Sequence, residues 1–140
     1  MKILVVADYF PWPPINGGLM RMARTVDALA DMGELDLFSL YDERSPDRTV
    51  PPGVRLARLG SAPQPAVDHS LRWRAEWMAR RGRPMEVVRR RSDSSPRRAF
   101  DAFVADHYDL VWCSGAVTYD VLGRPRLGPT VVDFIDLEGE

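Results

Sequence analysis

Lys2-Ile-Leu-Val-Val-Ala7, then Asp8-Tyr-Phe-Pro-Trp-Pro-Pro-Ile-Asn-Gly-Gly18, then Leu19-Met-Arg-Met-Ala-Arg-Thr-Val-Asp-Ala-Leu-Ala30 is the stretch that decides the fold. The first segment is an almost continuous apolar run with three β-branched residues. That composition and length predict a strand buried on both faces, as in a parallel sheet. Asp8 ends it. Pro11, Pro13 and Pro14 then exclude both a helix and a central strand. From Leu19 the period changes: Met20, Ala23, Val26, Leu29 and Ala30 fall on one helical stripe, whereas Arg21, Arg24, Asp27 and Asp31 lie off it. Gly33 is the expected left-handed stop of that helix. Strand, long loop with a glycine pair, amphipathic helix is the opening unit of an α/β layered domain.

The same alternation continues downstream. Strands are expected at Leu35–Leu40, Val54–Leu59, Asp109–Cys113 and Thr130–Ile135. Helices are expected over Val67–Arg81, from a Ser95-Pro96 start with Ala99, Phe100, Phe103 and Val104 as its buried stripe, and over Val117–Leu122. Strands alternating with helices imply parallel pairing through right-handed crossovers. The predicted fold is therefore α/β, a single domain with a doubly wound, Rossmann-like, mainly parallel sheet of about five strands.

Composition bounds the function classes. The 140 residues carry 19 Lys+Arg against 20 Asp+Glu, with 45% hydrophobic residues, which excludes a disordered or fibrous chain. One cysteine, Cys113, excludes an intramolecular disulfide framework and a Cys-cluster metal site. No apolar run reaches the ~18 residues of a membrane span, and the short run after Lys2 is not a signal peptide. The expected localisation is cytoplasmic, and neither a cofactor nor a metal is expected.

In an open α/β sheet, ligands gather beyond the C-terminal strand ends, where successive helices depart to opposite faces. Three segments are expected there: Asp8–Gly18, Ser114-Gly115 and Asp136–Glu140. Asn16-Gly17-Gly18 ahead of a helix lets a ligand approach the backbone, and free amides at a helix start favour an anion such as phosphate. The motif is neither G-x-G-x-x-G nor a P-loop, and Asn-Gly-Gly is also ordinary turn chemistry. A phosphoacceptor reading of Asp8 is opposed by Arg58-Leu59-Gly60 and by the absence of any lysine after Lys2. His69 and His107 lack metal-ligand spacing, and Cys113 reads as a buried thiol.

The opening through Gly18, running into Met22–Ala30 and Gly33, resembles the N-terminal domain of GT-B-fold glycosyltransferases, and more narrowly the retaining group 4 family. Gly82-Arg-Pro84, Tyr108-Asp-Leu-Val111 and Val131-Val-Asp-Phe-Ile-Asp136 continue the likeness in order. The resemblance implies an acceptor-side lobe of an enzyme that moves a sugar from a nucleotide-sugar donor to a sugar or lipid-linked acceptor. It places Asn16, Gly17 and Gly18 at the interlobe cleft near the donor phosphates, Ser114 and Gly115 beside the acceptor pocket, and Asp136 at the reaction centre. Many members carry a histidine immediately before that acidic position, where this chain has Ile135. The family's donor site belongs to a C-terminal domain. Residues 1–140 are thus expected to form the N-terminal domain without the donor-binding one, and to be inactive alone. The competing reading is a non-catalytic ligand-binding or interaction module on the same fold.

Charge is unevenly spread. Between Arg72 and Arg98 ten arginines face only Glu76, Glu86 and Asp93, a local excess of seven positive charges. Arg72, Trp73, Trp77, Arg80 and Arg81 combine cations with interfacial aromatics, as membrane-surface helices do, so an anionic membrane is one expected partner. The other reading packs Trp73 and Trp77 on the sheet and leaves the arginines as a solvated face. Nucleic acid is not expected as a partner, given a pI near 6 and no reading module. Self-association through an exposed sheet surface is a further expectation.

Overall fold

A computed structural model describes residues 1–40, 49–62 and 94–133, together with positions 75, 78 and 79. Five strands form one all-parallel sheet: β1 (Lys2–Ala7), β2 (Glu34–Ser39), β3 (Arg58–Ser61), β4 (Leu110–Ser114) and β5 (Thr130–Asp133), in the order β3-β2-β1-β4-β5. The helices bounded among the described residues are α1 (Gly17–Ala30), α2 (Ser95–Phe103) and α3 (Ala116–Val121). This is the doubly wound, Rossmann-like arrangement that the sequence predicts.

β1 is central because its side chains are apolar in both directions. Ile3, Val5 and Ala7 join Leu35, Leu37 and Trp112 beneath Met22, Ala23 and Val26 of α1. Leu4 and Val6 join Phe38, Val111 and Cys113 on the opposite face, against Phe100 of α2. Each of these β1 residues is at most 1% exposed. Burying five such side chains contributes on the order of 1.5–3 kcal/mol for each of the larger ones.

Several boundaries differ from the sequence reading. α1 starts at Gly17, not Leu19, because the Asn16 side chain accepts from Leu19 N at 2.9 Å and recruits both glycines into the first turn. Its core stripe is Met22, Ala23 and Val26, while Met20 is 46% exposed. The arc that faces the sheet is centred near Val26, and Met20 falls on its flank.

Gly33 is not a left-handed stop. A Cβ there would overlap the Met1 carbonyl, whose oxygen accepts from Glu34 N at 2.9 Å, so the residue is glycine for close approach. β3 runs Arg58–Ser61 and not Val54–Leu59. Val54 and Leu56 do pack against the α1-side core, but alternation reports which side chains face the core and not where the ladder begins.

α2 is capped by Ser94 rather than Ser95, without a side-chain cap bond, and Val104 is its C-cap residue rather than part of the helix. The expected helix over 67–81 lies largely outside the described residues. Positions 75, 78 and 79 are helical, with Met78 67% exposed.

A polar contact deep on the α2 side fastens the lower end of the sheet. The Tyr108 hydroxyl donates to Asp36 Oδ2 at 2.7 Å and accepts from Ala105 N at 3.1 Å. Arg58 completes the cluster, 3.7 Å from Asp36 and stacked on the Phe103 ring. Burial holds the Tyr108 phenol above its ordinary pKa, and Asp36 pushes in the same direction. A carboxylate only 2% exposed in β2 is accounted for by these donors.

Candidate functional site

The C-terminal edge of the sheet holds the crevice that the topology creates. α1 leaves β1 toward one face and α3 leaves β4 toward the other, so the β1 and β4 ends diverge at the point where ligands bind in such sheets. Two loops line it, and a hydrogen bond joins them: Asp8 N donates to Ser114 Oγ at 3.0 Å.

The loop after β1 is anchored from below. Phe10 and Trp12 are 3% and 5% exposed, with rings edge-on at 5.4 Å, and both belong to the α1-side core. Buried aromatics at alternate positions fix the chain while Ile15 and Asn16 stay exposed at its tip. The proline-rich segment is a scaffold that delivers Asn16, Gly17 and Gly18 to the mouth.

Those glycines are open. An added Cβ at Gly17 would meet nothing within 4 Å, and one at Gly18 only the Asn16 side chain. Asn16 satisfies Leu19 N, whereas the Gly17 and Gly18 N–H groups take no acceptor among the described residues. The first turn of α1 carries no acidic residue, so the positive end of the helix is not neutralised within its own sequence.

Gly115 has φ +90°, and a Cβ on it would lie 3.5 Å from Asp8 Oδ2. Its N–H donates to the Asp133 carbonyl at 2.8 Å, tying the β4 loop to the end of β5. Asn16, Gly17, Gly18, Ser114 and Gly115 therefore all sit at one edge of the sheet. Asp136, Arg72, Trp73, Trp77, Arg80 and Arg81 lie outside the described residues.

Two residues with no functional signal in the sequence belong to this mouth. Arg21 Nη2 donates to both carboxylate oxygens of Asp133, at 2.8 and 2.9 Å, closing a span from α1 to β5. Arg21 is legible in the sequence only as a polar residue off the apolar stripe, and Asp133 only as a charge in an apolar run. A separation of 112 positions hides the pair. Below Gly17 an open groove of about 600 Å³ runs along α1 over Trp112, walled by Arg21 and Arg24.

Cys113 is 1% exposed beneath the mouth, its Sγ 3.8 Å from the Gly115 carbonyl. Burial pushes the thiol pKa up, and the Asp8 carboxylate adds to the effect. A thiol held protonated at neutral pH is not a nucleophile. The site thus offers open backbone donors at the start of α1 and the Arg21 and Arg24 guanidinium groups along a shaped groove: equipment for binding an anionic ligand.

No family model matches the chain, and searches of curated proteins and of solved structures return no match. No helix among the described residues is long and apolar enough to cross a membrane.

Proposed function

We propose that this chain is the acceptor-side, Rossmann-like lobe of a retaining glycosyltransferase of GT-B architecture, which moves a sugar from a nucleotide-sugar donor to an acceptor. The observation that supports this reading is the unobstructed Gly17-Gly18 start of α1 lying across the β1–β4 crevice from Ser114-Gly115. The glycine pair carries the resemblance in sequence, and its geometry suits the task.

Sugar transfer builds oxocarbenium character at the anomeric carbon and negative charge on the departing diphosphate. On this reading the Gly17 and Gly18 amides meet the diphosphate, with the helix dipole aligned toward it. Side chains absent at both positions let the ligand come within hydrogen-bond distance of the backbone. The Gly115 turn borders the acceptor, and the buried Ser114 acts behind it, its bond from Asp8 N–H fixing the distance between the two loops. Asp136 is the acidic group assigned to the reaction centre by the resemblance.

The reading is tested by recording backbone amide spectra while adding nucleoside diphosphates and then saccharide acceptors. Shifts at Gly17 and Gly18 with the first, and at Ser114 and Gly115 with the second, are expected. Changes confined elsewhere, or none with either class, reject it.

The Arg72–Arg98 charge excess, with apolar Met78 67% exposed within it, favours a peripheral placement on an anionic membrane for acceptors that are lipid-linked. Flotation with anionic vesicles that is lost at high salt is the expected result. Absence of flotation at low salt removes the membrane from the proposal.

A further inference from the structure

We infer that Asp133 is an internal competitor at Arg21: an autoinhibitory ion pair that a diphosphate-bearing ligand displaces from the mouth of the crevice. The inference rests on the functional reading above and concerns the regulation of the same site.

One nitrogen of the Arg21 guanidinium already holds an anion, Nη2 donating to both carboxylate oxygens of Asp133 at 2.8 and 2.9 Å. The occupant is supplied by the end of β5, in register with Ser114, whose neighbour Gly115 donates to the Asp133 carbonyl. Main-chain bonds therefore hold residue 133 in place whatever its side chain does. The carboxylate is free to leave the guanidinium without disturbing the sheet.

The pair also sits where exchange costs little. The Arg21 side chain is 53% exposed and that of Asp133 18%, so water reaches the contact and its net strength is small. A buried pair would resist displacement by several-fold more. Arg21 and Gly17 line the same groove, so a ligand on the glycine amides comes up against this guanidinium. A diphosphate offers paired oxygens as a carboxylate does, with more charge. When the mouth is empty, Asp133 neutralises Arg21 and admits only ligands that bind the guanidinium more strongly than a carboxylate.

Titration of the chain with inorganic pyrophosphate at fixed ionic strength tests this, following the Arg21 Nε–H resonance together with the Gly17 and Gly18 amides. In the wild type all three are expected to move at the same concentration. Asp133→Asn keeps the shape and removes the competing charge, and is expected to tighten pyrophosphate binding roughly two- to fivefold, the range an exposed ion pair can carry. Arg21→Lys, which loses the planar donor set, is expected to weaken it in either background.

If Asp133→Asn binds no more tightly than wild type while Gly17 and Gly18 still respond, the pair is only a clamp between α1 and β5. The competitor is then overturned and the functional reading survives. If Gly17 and Gly18 respond in neither protein, the phosphate seat itself is wrong and both fall. The Arg21 resonance in the wild type does not depend on how the variants fold: a guanidinium that stays unmoved while the glycines shift overturns the exchange.

Discussion

The Asp8 amide donates to the Ser114 hydroxyl at 3.0 Å, so the ends of the two strands that flank the crevice are joined by one side-chain bond across 106 positions of sequence. Ser114 is 1% exposed, and its removal takes this acceptor from the amide. Ser114→Ala is expected to cost about 0.5–1.5 kcal/mol, the net worth of one hydrogen bond. Thermal unfolding checks the cost. Faster amide exchange at Asp8 and Gly115 would locate it at the mouth.

Gly17 and Gly115 separate a binding role from a folding role. A Cβ at Gly17 meets nothing, and the residue lies in a helical first turn, so Gly17→Ala is expected to leave stability unchanged or raise it by up to about 1 kcal/mol. Diphosphate binding should fall in the same variant. Gly115→Ala forces a Cβ onto a φ of +90° and is expected to destabilise by about 1–2 kcal/mol. Chemical denaturation of the two variants side by side checks the contrast. Equal losses would contradict the open geometry at Gly17.

Gly60 lies under α2, where an added Cβ would overlap the Phe103 ring. Gly60→Ala is therefore expected to lower stability by roughly 1–3 kcal/mol through overpacking. The pair Gly60→Ala/Phe103→Leu should recover part of that loss. A double-mutant cycle in denaturant measures the recovery, and strict additivity would place the damage elsewhere.

Alkaline pH should act in two steps. Burial raises both the Cys113 and the Tyr108 pKa, so the folded state holds protons that the unfolded chain releases near ~8.5 and ~10 respectively. Unfolded protein then binds fewer protons than folded, and stability must fall as pH rises. The contribution of each group is complete below its unfolded value and is lost as pH climbs through its folded one. Cys113→Ala should delay the onset of the decline to above about pH 10. Tyr108→Phe should flatten the later step, while lowering stability at neutral pH because Asp36 loses its 2.7 Å donor. Unfolding midpoints from about pH 7 to 11 check both.

The Cys113 thiol should also resist alkylation near pH ~8 in the native protein and react on unfolding, since it is 1% exposed and held protonated. Mass spectrometry after brief iodoacetamide treatment reads this directly. Rapid native labelling would contradict the burial.

By itself the sequence determined the architecture. Five consecutive apolar residues, Ile3–Ala7, can be buried only between two layers, and a change from that run to a 3.6-residue stripe at Met22–Val26 forces a crossover helix. These are local signals, carried by neighbours in the chain. The glycine pair was legible for the same reason, although its place inside the first turn of α1 depended on the Asn16 cap.

Tertiary structure alone decided the rest, because the deciding partners are remote. Gly33 is small to admit Met1, and Gly60 to admit Phe103. Asp36 is tolerated in a buried strand because Tyr108, 72 positions away, donates to it. Arg21 meets Asp133 only once β5 has been laid beside β4. Periodicity records which face a residue takes. It holds no information about which distant group will stand opposite, and at this crevice that group sets the chemistry.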